Sequence, residues 1–282
     1  MGLRREARAA LAAAGRRPRK RWGQNFLCDA AAVQRIVTLA ALEPDGHVVE
    51  IGAGLGALSD ALVERAATLY LVEIDPVLAD HLRERYRSMA HVHVVEGDVL
   101  TAALSDLLPP AARGVVVANL PYSVSTPVLF RLLEWRARLP RAVVMLQREV
   151  AQRITARPGT RTRGALGVMI ETYADVRAAF SVSPASFHPQ PRVHSVVLDV
   201  RWHASPQAEI GDEAFYAAVV HAAFGQRRKM LRNALAGLAG ARGLDGAGLD
   251  AVFRAAGVDG RVRAETLSVD DFARLARGFD EA

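Results

Sequence analysis

The end of one buried strand is the first place in this chain where the residue types could do chemistry. The run GVVVANLPY is apolar up to Ala118 and then presents Asn119, Leu120, Pro121 and Tyr122. The Asn119 side-chain oxygen and the carbonyl of Leu120 or Pro121 offer two hydrogen-bond acceptors, enough to hold both hydrogens of an amino group. The proline stiffens the loop, and the tyrosine ring gives a flat ligand a surface to stack on. These residues predict a site for an amino-bearing aromatic ring.

A glycine-rich turn lies between an earlier strand and the helix that follows it. In VVEIGAGLGAL, Gly52, Gly54 and Gly56 allow a sharp turn and a close approach of the backbone to a ligand. Glu73 ends the next strand about 20 residues on, where a carboxylate can accept hydrogen bonds from both hydroxyls of a ribose. Asp98 follows the third strand, where it can accept a hydrogen bond from an adenine amino group. The sequence therefore predicts a nucleoside-containing cofactor.

The spacing of the glycines separates two classes of cofactor. The dinucleotide fingerprint is G-x-G-x-x-G and places a pyrophosphate at the turn, whereas this chain has G-x-G-x-G with Glu50 two residues before the first glycine. A carboxylate is unfavourable beside a pyrophosphate and tolerable beside a cation. The motif resembles that of S-adenosylmethionine-dependent methyltransferases, whose cofactor carries an ammonium and a sulfonium group. A nicotinamide-dependent oxidoreductase is the alternative class, and failure to bind S-adenosylmethionine would favour it.

Strands alternate with helices up to about residue 154, which is typical of a doubly wound parallel sheet. We predict a helix over 30–41 with Asp29 as its N-cap. The later segments ALGVMIETYADVRAAFSV and SVVLDVRW are predicted to be partly antiparallel strands, and EAFYAAVVHAAFGQRRKMLRNALAGL has a helical pattern throughout. A polar linker at 203–212 marks a domain boundary. The expected fold is α/β, a Rossmann-like class I methyltransferase sheet at 1–202 with a smaller helical C-terminal domain at 203–282.

Composition and charge indicate a globular protein with a polyanionic partner. The chain has 282 residues, of which 51% are hydrophobic, and no apolar run approaches the roughly 20 residues that a membrane span needs. The formal net charge is +6, and basic residues concentrate at 1–21 and in a second cluster made of Arg227, Arg228, Lys229 and Arg232. Both clusters are candidate phosphate contacts. A mitochondrial presequence is the alternative for the first cluster, and a solvated helix face for the second.

Cysteine and histidine usage excludes two further kinds of site. Cys28 is the only cysteine, so no disulfide can form within the chain, which fits a reducing compartment. The eight histidines show no ligand spacing with cysteine or acidic partners, so we expect no metal site.

Five further segments, in order along the chain, narrow the resemblance to one family. They are KRWGQNFL, MLQREVAQRITARPGT, SPASFHPQPRVHSVV, AFGQRRKMLRNAL and RVRAETLSVDDFARL. The NLPY motif resembles that of methyltransferases acting on exocyclic amino groups. With these segments, the chain from about Lys20 to Leu275 resembles the ribosomal RNA adenine dimethyltransferases that act on the bacterial small subunit.

The resemblance implies a reaction and a set of site residues. N6 of two adjacent adenosines in the 3′-terminal hairpin loop of 16S rRNA would each receive two methyl groups from S-adenosylmethionine during late ribosome assembly. The enzyme would be a cytoplasmic monomer whose partners are the small subunit and its rRNA. Phe187 would form the second face of the adenine pocket opposite Tyr122, although a plug in the core is the alternative for this ring. The cofactor-binding residues would be Asn25, Leu27, Gly52, Gly54, Glu73, Asp98 and Asn119.

Departures from the family pattern leave the acceptor groups untouched. Ala53 stands where the family usually has proline, Trp22 where it has phenylalanine, and His194 where it often has aspartate. The nearest alternative is the related erythromycin-resistance methyltransferase, which modifies one adenosine of large-subunit rRNA. A non-catalytic RNA-binding or assembly factor is the other, and only a measurement of methyl transfer separates it from the enzyme.

Overall fold

The structure, a computed structural model, describes residues 2–5, 24–226 and 228–281. Most of the basic segment 1–21 and Arg227 therefore lie outside the described residues. The chain divides into one unit of Met1–Ala151 with Val176–Trp202 and a second of Gln152–Asp175 with His203–Ala282. The limits expected from the sequence, 1–202 and 203–282, differ from these units by the stretch Gln152–Asp175, which belongs to the second.

A seven-stranded sheet forms the centre of the first unit. Its strands are β2 (His47–Ile51), β3 (Thr68–Glu73), β4 (Val92–Glu96), β5 (Gly114–Asn119), β6 (Arg141–Gln147), β7 (Ala174–Val182) and β9 (Ser195–Trp202). Their order is β4-β3-β2-β5-β6-β9-β7, with β2 to β6 parallel and β9 antiparallel to β6. The apolar runs of β2, β5 and β6 are explained by this order, because central parallel strands are buried on both faces. A separate pair joins β1 (Phe26–Leu27) to β8 (Phe187–His188).

Within residues 24–154, five α-helices connect or follow the strands. They are α1 (Ala30–Ala40), α2 (Ser59–Leu62), α3 (Pro76–Arg85), α4 (Ser125–Glu134) and α5 (Arg148–Ile154). The predicted start of α1 is confirmed, since the Asp29 carboxylate accepts hydrogen bonds from the Ala31 and Ala32 amides at 3.0 and 3.1 Å. This strand–helix alternation places the carboxyl ends of the five parallel strands at one edge of the sheet.

The sequence prediction was wrong for the first half of ALGVMIETYADVRAAFSV. Residues Ala165–Tyr173 form helix α6, and the strand begins only at Ala174. Most of α6 is buried, including Val168, Met169, Ile170 and Tyr173. A helix buried on nearly all sides shows neither a two-residue nor a 3.6-residue hydrophobic period, so a short apolar run of this kind is easily taken for a strand.

The second unit is helical, with one interruption that the sequence pattern did not predict. Besides α6 it contains α7 (Glu213–Gly225), α8 (Leu231–Ala241), α9 (Gly246–Ala256) and α10 (Val269–Gly278). The expected continuous helix therefore stops at Gly225 and restarts at Leu231. Glycine has a low helix propensity, which favours the end of the helix at this residue. Across the described ranges, every helix is too short or too polar to cross a lipid bilayer.

Candidate active site and basic groove

A cleft in two parts opens at the edge of the sheet where β2, β3, β4 and β5 end. Its first part is lined by residues 24–27, by the glycine turn, by two acids and by residues 119–122. Its second part is lined by Asp98 and by apolar side chains, among them Ile51, Val72, Val99, Val124 and Val128. Gly52, Ile74 and Pro121 line both parts, so the two are adjacent. An acidic compartment beside an apolar one suits a ligand with a charged end and a flat heterocyclic end.

The backbone of the glycine turn is in the left-handed region, which favours glycine, and the absence of side chains there leaves room for a ligand. Gly52 and Gly54 have φ values of 72° and 62°, which L side chains rarely adopt. A Cβ on Gly52 would lie 3.7 Å from the Pro121 ring and 3.8 Å from the Asn119 carbonyl oxygen. The missing side chain thus keeps open the passage between the turn and the NLPY loop.

Two buried carboxyl groups face the first part of the cleft, and they are supported differently. Glu73 accepts hydrogen bonds from the Gly54 amide at 2.8 Å and from the Asp75 amide at 2.9 Å. Glu50 accepts one hydrogen bond, from Ser59 Oγ at 2.6 Å. Burial raises the pKa of Glu73, and the two amide bonds oppose that rise. Burial also raises the pKa of Glu50, to about 8.

The charge balance of this compartment favours a cationic ligand. None of the described residues lining its first part is a lysine, an arginine or a histidine. Glu50 and Glu73 are only 2% and 5% exposed, so water screens their charges poorly. A ligand carrying positive charge would therefore be stabilised, and a phosphate would be repelled.

The NLPY loop presents two acceptors with no partner of their own. Asn119 Nδ2 donates to the Asn25 carbonyl at 3.1 Å, which fixes the amide and leaves Oδ1 as its acceptor. The Pro121 carbonyl accepts from the Val124 amide at 3.1 Å. Among the described residues, neither Asn119 Oδ1 nor the Leu120 carbonyl accepts a comparable hydrogen bond. Of the carbonyls of Leu120 and Pro121, that of Leu120 therefore has both lone pairs available to a ligand.

Tyr122 lines the cleft, and a hydrogen bond at its hydroxyl group fixes the position of its ring. Its Oη lies 2.8 Å from Oγ of the fully buried Ser195, at the start of β9. Burial raises the pKa of Tyr122, so the phenol stays neutral at ordinary pH. A fixed, neutral ring beside the two free acceptors is suited to stacking an aromatic base.

Phe187 is not brought to the cleft. The residue is fully buried, pairs with Leu27 in the short β1–β8 sheet, and belongs to the hydrophobic core together with Val182 and Val197. It fills the core, which was the alternative role for this ring. The expected pair of rings, with Tyr122 on the opposite face, is not formed across an open pocket in this structure.

The remaining predicted cofactor residues do line the cleft. Asn25 and Leu27 lie in its first part, where Phe26 packs so closely that a Cβ on Gly54 would come within 3.2 Å of its ring. Asp98 lies in the second part and accepts a hydrogen bond from the Leu100 amide at 2.9 Å through one carboxylate oxygen. The cleft thus gathers every residue predicted for the cofactor.

Two cleft residues were missed as site residues. From the sequence, Glu50 indicates only that a cation is tolerated near the glycine turn. Ile74 is a large apolar side chain that is 44% exposed at the junction of the two parts. The available signal was its position directly after the acid that ends β3, since an exposed apolar residue there can cover a heterocycle.

A separate concave surface, which we call the basic groove, lies within the second unit. It is lined by Gly159, Arg161, Arg228, Arg261, Val262, Arg263, Glu265 and Thr266. The Gly159 amide donates to the Glu265 carbonyl at 2.8 Å, which holds the two main segments together. Four guanidinium groups line the groove with one carboxylate, and one of the four, that of Arg261, is paired with Asp259 at 3.1 Å. The remaining excess of positive charge favours an anion.

A buried arginine supports one wall of the basic groove. Arg163 is 0% exposed and donates to the Ala156 carbonyl at 2.8 Å and to Glu171 at 2.7 Å. These bonds fasten the two ends of the loop that carries Gly159 and Arg161 to the body of the unit. The groove is therefore built on an anchored loop.

The predicted cationic cluster divides between different roles. Arg228 lines the basic groove, and Lys229 is exposed in the connection between α7 and α8. Arg232 forms a two-point ion pair with Asp250, at 2.7 and 3.0 Å, so its charge is compensated within the unit. Arg227 lies outside the described residues. Three groove arginines were missed because they lie in two segments that are far apart in the sequence: Arg161, Arg261 and Arg263.

The described ranges contain no cluster of side chains suited to a metal ion. No group of three or more histidine, cysteine, aspartate and glutamate side chains there is placed to hold a metal ion. Cys28 Sγ lies 3.4 Å from the Phe26 carbonyl oxygen, next to residues that line the cleft.

The chain is similar to known proteins over nearly its whole length. The sequence profile of the family described as "Ribosomal RNA adenine dimethylase" matches residues 15–281. The chain is 43% identical over 269 residues to the ribosomal RNA small subunit methyltransferase A of Geobacter metallireducens, a match that covers 94% of this chain and 96% of that protein.

Two solved structures share the fold. A dimethyladenosine transferase from Plasmodium falciparum has a TM-score of 0.75 at 22% identity, covering 91% of this chain and 98% of its own. The 23S rRNA methyltransferase ErmE has a TM-score of 0.66 at 28% identity, covering 91% and 100%. The predicted Rossmann-like class I methyltransferase fold is thereby confirmed.

Proposed function

Since the chain belongs to the ribosomal RNA adenine dimethylase family, we propose that it dimethylates N6 of two adjacent adenosines in the 3′-terminal hairpin loop of 16S rRNA. It is an S-adenosylmethionine-dependent rRNA adenine methyltransferase. The observation that carries the proposal is the pair of free acceptors, Asn119 Oδ1 and the Leu120 carbonyl, beside an anionic compartment. We place the enzyme in the cytoplasm, as a monomer that acts on the nearly mature small subunit.

The residues of the cleft fit S-adenosylmethionine. Each Glu73 oxygen keeps a second lone pair for a ribose hydroxyl after accepting its backbone amide. Asp98 has one carboxylate oxygen left for an adenine amino group, and Ile74 and Val99 offer apolar surface to the ring. Gly52 allows the methionine portion to pass close to the backbone. When bound, the cofactor supplies an electrophilic methyl group on a sulfonium.

The NLPY loop would prepare the target nitrogen. The N6 lone pair of adenine is delocalised into the ring, which makes it a poor nucleophile. Asn119 Oδ1 and the Leu120 carbonyl would accept both N–H hydrogens and favour a more tetrahedral nitrogen with its lone pair directed at the methyl group. Tyr122 would hold the extruded base by stacking, worth about 1–3 kcal/mol. A carbon–nitrogen bond forms as the carbon–sulfur bond breaks, and the nitrogen then releases a proton to water.

The basic groove supports contact with the rRNA backbone. Its arginines present planar guanidinium groups that can bind phosphate oxygens at two points. Arg228 is the predicted RNA contact that lies in the groove, and exposed Lys229 is next to it in sequence. We assign Arg232 to the stability of the second unit, since its ion pair with Asp250 is already complete.

The small subunit is favoured over the large one by the degree of similarity. Identity to the relative named for the small subunit is 43%, against 28% for the 23S rRNA methyltransferase ErmE. The corresponding test is incubation with labelled S-adenosylmethionine and unmethylated small or large subunits, followed by mapping of the labelled nucleoside. We expect dimethyladenosine at two adjacent positions of small-subunit rRNA. Label on the large subunit would assign the chain to the resistance enzymes, and cofactor binding with no label on either would favour an assembly factor.

A further inference from the structure

The first part of the cleft contains an acid whose surroundings do not support its charge. Glu50 lies in the middle of the sheet, between Leu71 of β3 and Val117 of β5. Its one hydrogen bond comes from Ser59, a neutral hydroxyl that is itself fully buried. Among the described residues its second oxygen, Oε1, has no hydrogen-bond partner, although Glu50 lines the cleft. A lone hydroxyl donor is weak support for a buried carboxylate.

The charged and titratable groups around Glu50 add to this difficulty. Asp60 on α2 and Glu73 on β3 both repel a negative charge at Glu50. Asp60 is bound by Arg85 at 2.6 Å and by the Tyr86 hydroxyl at 2.7 Å, so the nearby cation is already committed to another acid. Glu73, by contrast, has two backbone amides on its oxygens. Of the two acids in the first part of the cleft, Glu50 is the one that is stable only as a neutral group or beside a cation.

We propose that the Glu50 carboxyl group carries a proton while the cleft is empty and releases it when the cationic cofactor enters, so that binding of S-adenosylmethionine is coupled to proton release. The inference rests on the proposed position of the cofactor in this cleft. The O–H bond of the carboxyl breaks, its proton passes to solvent, and the resulting carboxylate is stabilised by the positive charge of the ligand.

The direction of the pH dependence follows from the competition between proton and ligand. Burial raises the pKa of Glu50 in the empty cleft to about 8. Below that pH the cofactor must displace the proton, so its affinity rises by up to about tenfold per pH unit and then levels off above pH 8. The coupling should also make the affinities for the cofactor and for its product differ. S-adenosylhomocysteine has the same amino-acid group but a neutral sulfur, so we expect it to release fewer protons and to bind more weakly.

The test is titration calorimetry of the full chain with S-adenosylmethionine at pH 7, in two buffers of different ionisation enthalpy. The difference in apparent binding enthalpy gives the number of protons released, which we expect to be about one for the unaltered chain. Glu50→Gln removes the titrating group and keeps its shape, so release should fall by nearly one proton. The α-amino group of the cofactor titrates in the same range, and the Glu50→Gln variant reports that contribution alone.

Two further variants keep the outcome interpretable. Glu50→Asp retains a carboxyl group and should retain the release, which guards against a folding defect in the glutamine variant. Glu73→Gln should weaken affinity and reduce proton release only in part, because the charge of Glu73 is a smaller cause of the raised Glu50 pKa than burial is. Equal release by Glu50→Gln and the unaltered chain would overturn the proposal. Unchanged affinity in both Glu50→Gln and Glu73→Gln would instead show that the cofactor does not bind in this cleft.

Discussion

The cleft of the first unit and the basic groove of the second use charge in opposite ways. In the cleft, two acids are almost fully buried, and Glu73 is held by backbone amides. In the groove, the charges belong to arginines such as Arg261, whose side chain is 84% exposed. Water screens the groove strongly and the cleft weakly. Substitution of a single cleft residue should therefore have a large effect on binding or catalysis. Substitution of a single groove arginine should have a small effect on RNA binding, because several arginines contribute together.

The difference also concerns what each region recognises. The cleft presents acceptors at fixed positions, which can select one functional group of a base or a cofactor. The groove presents guanidinium groups that bind any phosphate in reach and carry no information about sequence. Base selection would thus belong to the first unit, and a general attraction for RNA to the second.

The largest expected effect is that of Asn119→Ala, the strongest test of chemistry in the cleft. Loss of one of the two amino-group acceptors should lower the methyl-transfer rate about 10²–10³-fold, comparable to removal of a single group that stabilises a transition state. Cofactor affinity should change by less than about tenfold, because the residue positions the target nitrogen. Single-turnover transfer to unmethylated small subunits measures the first and calorimetry the second. A near-normal methyl-transfer rate in Asn119→Ala would contradict the role of Asn119 as an acceptor for the target amino group.

Glu73→Gln should have the next largest effect and tests whether buried acids bind the cofactor. The amide places an NH2 group against one of two backbone N–H donors, and it offers one acceptor oxygen where the carboxylate had two. We expect the Kd for S-adenosylmethionine to rise about 10–100-fold. Glu84→Gln is the matched control, since that side chain is 72% exposed on α3. Equal affinities for the two variants would contradict the assignment of Glu73 to the ribose.

Charge reversal in the groove should produce a smaller effect that depends on salt. We expect the double variant Arg161→Glu with Arg263→Glu to weaken small-subunit binding about tenfold and to reduce the salt slope of log K by about two. Arg87→Glu reverses a charge that is 74% exposed on the first unit and serves as the control. Filter binding between about 50 and 200 mM salt provides the slope. If the salt slope of log K for the double variant equals that of Arg87→Glu, the RNA-binding surface lies outside the basic groove.

The smallest expected effect is a pH-dependent gain in stability for Glu50→Gln without cofactor. Because the folded pKa is raised from 4.5 to about 8, the folded state binds more protons than the unfolded state in that window. Stability of the unaltered chain therefore falls as the pH rises through it. The glutamine variant escapes this loss, so its Tm should exceed that of the unaltered chain by about 2–5 °C at pH 9. Thermal melts at pH 5 should show little difference, and a constant difference at both pH values would contradict the assignment.

The cleft was more predictable from the sequence than the groove, for a physical reason. The glycine turn, Glu73, Asp98 and the NLPY loop each follow a strand, so the alternation of elements was enough to bring them to one edge. Arg161 and Arg263 are about a hundred residues apart and follow no strand, so no periodicity indicates that they meet. Phe187 was predicted for the adenine pocket but lies in the core, because the packing of β8, which the sequence pattern does not reveal, decides which way its ring faces.

Asp29 joins two parts of the first unit that are distant in sequence. One of its carboxylate oxygens caps α1, and the other accepts a hydrogen bond from Ser186 Oγ at 2.7 Å. The Cys28 amide donates to the Ser186 carbonyl at 2.7 Å, directly beside the strand that carries Leu27. The attachments of the segment over the cofactor cleft thus include a two-residue strand pair, the hydrogen bonds of Ser186 and the bond from Asn119 to the Asn25 carbonyl. Local unfolding should begin there, so amides 24–29 should exchange with deuterium sooner than those of β2 or β5, and a bound ligand should slow that exchange.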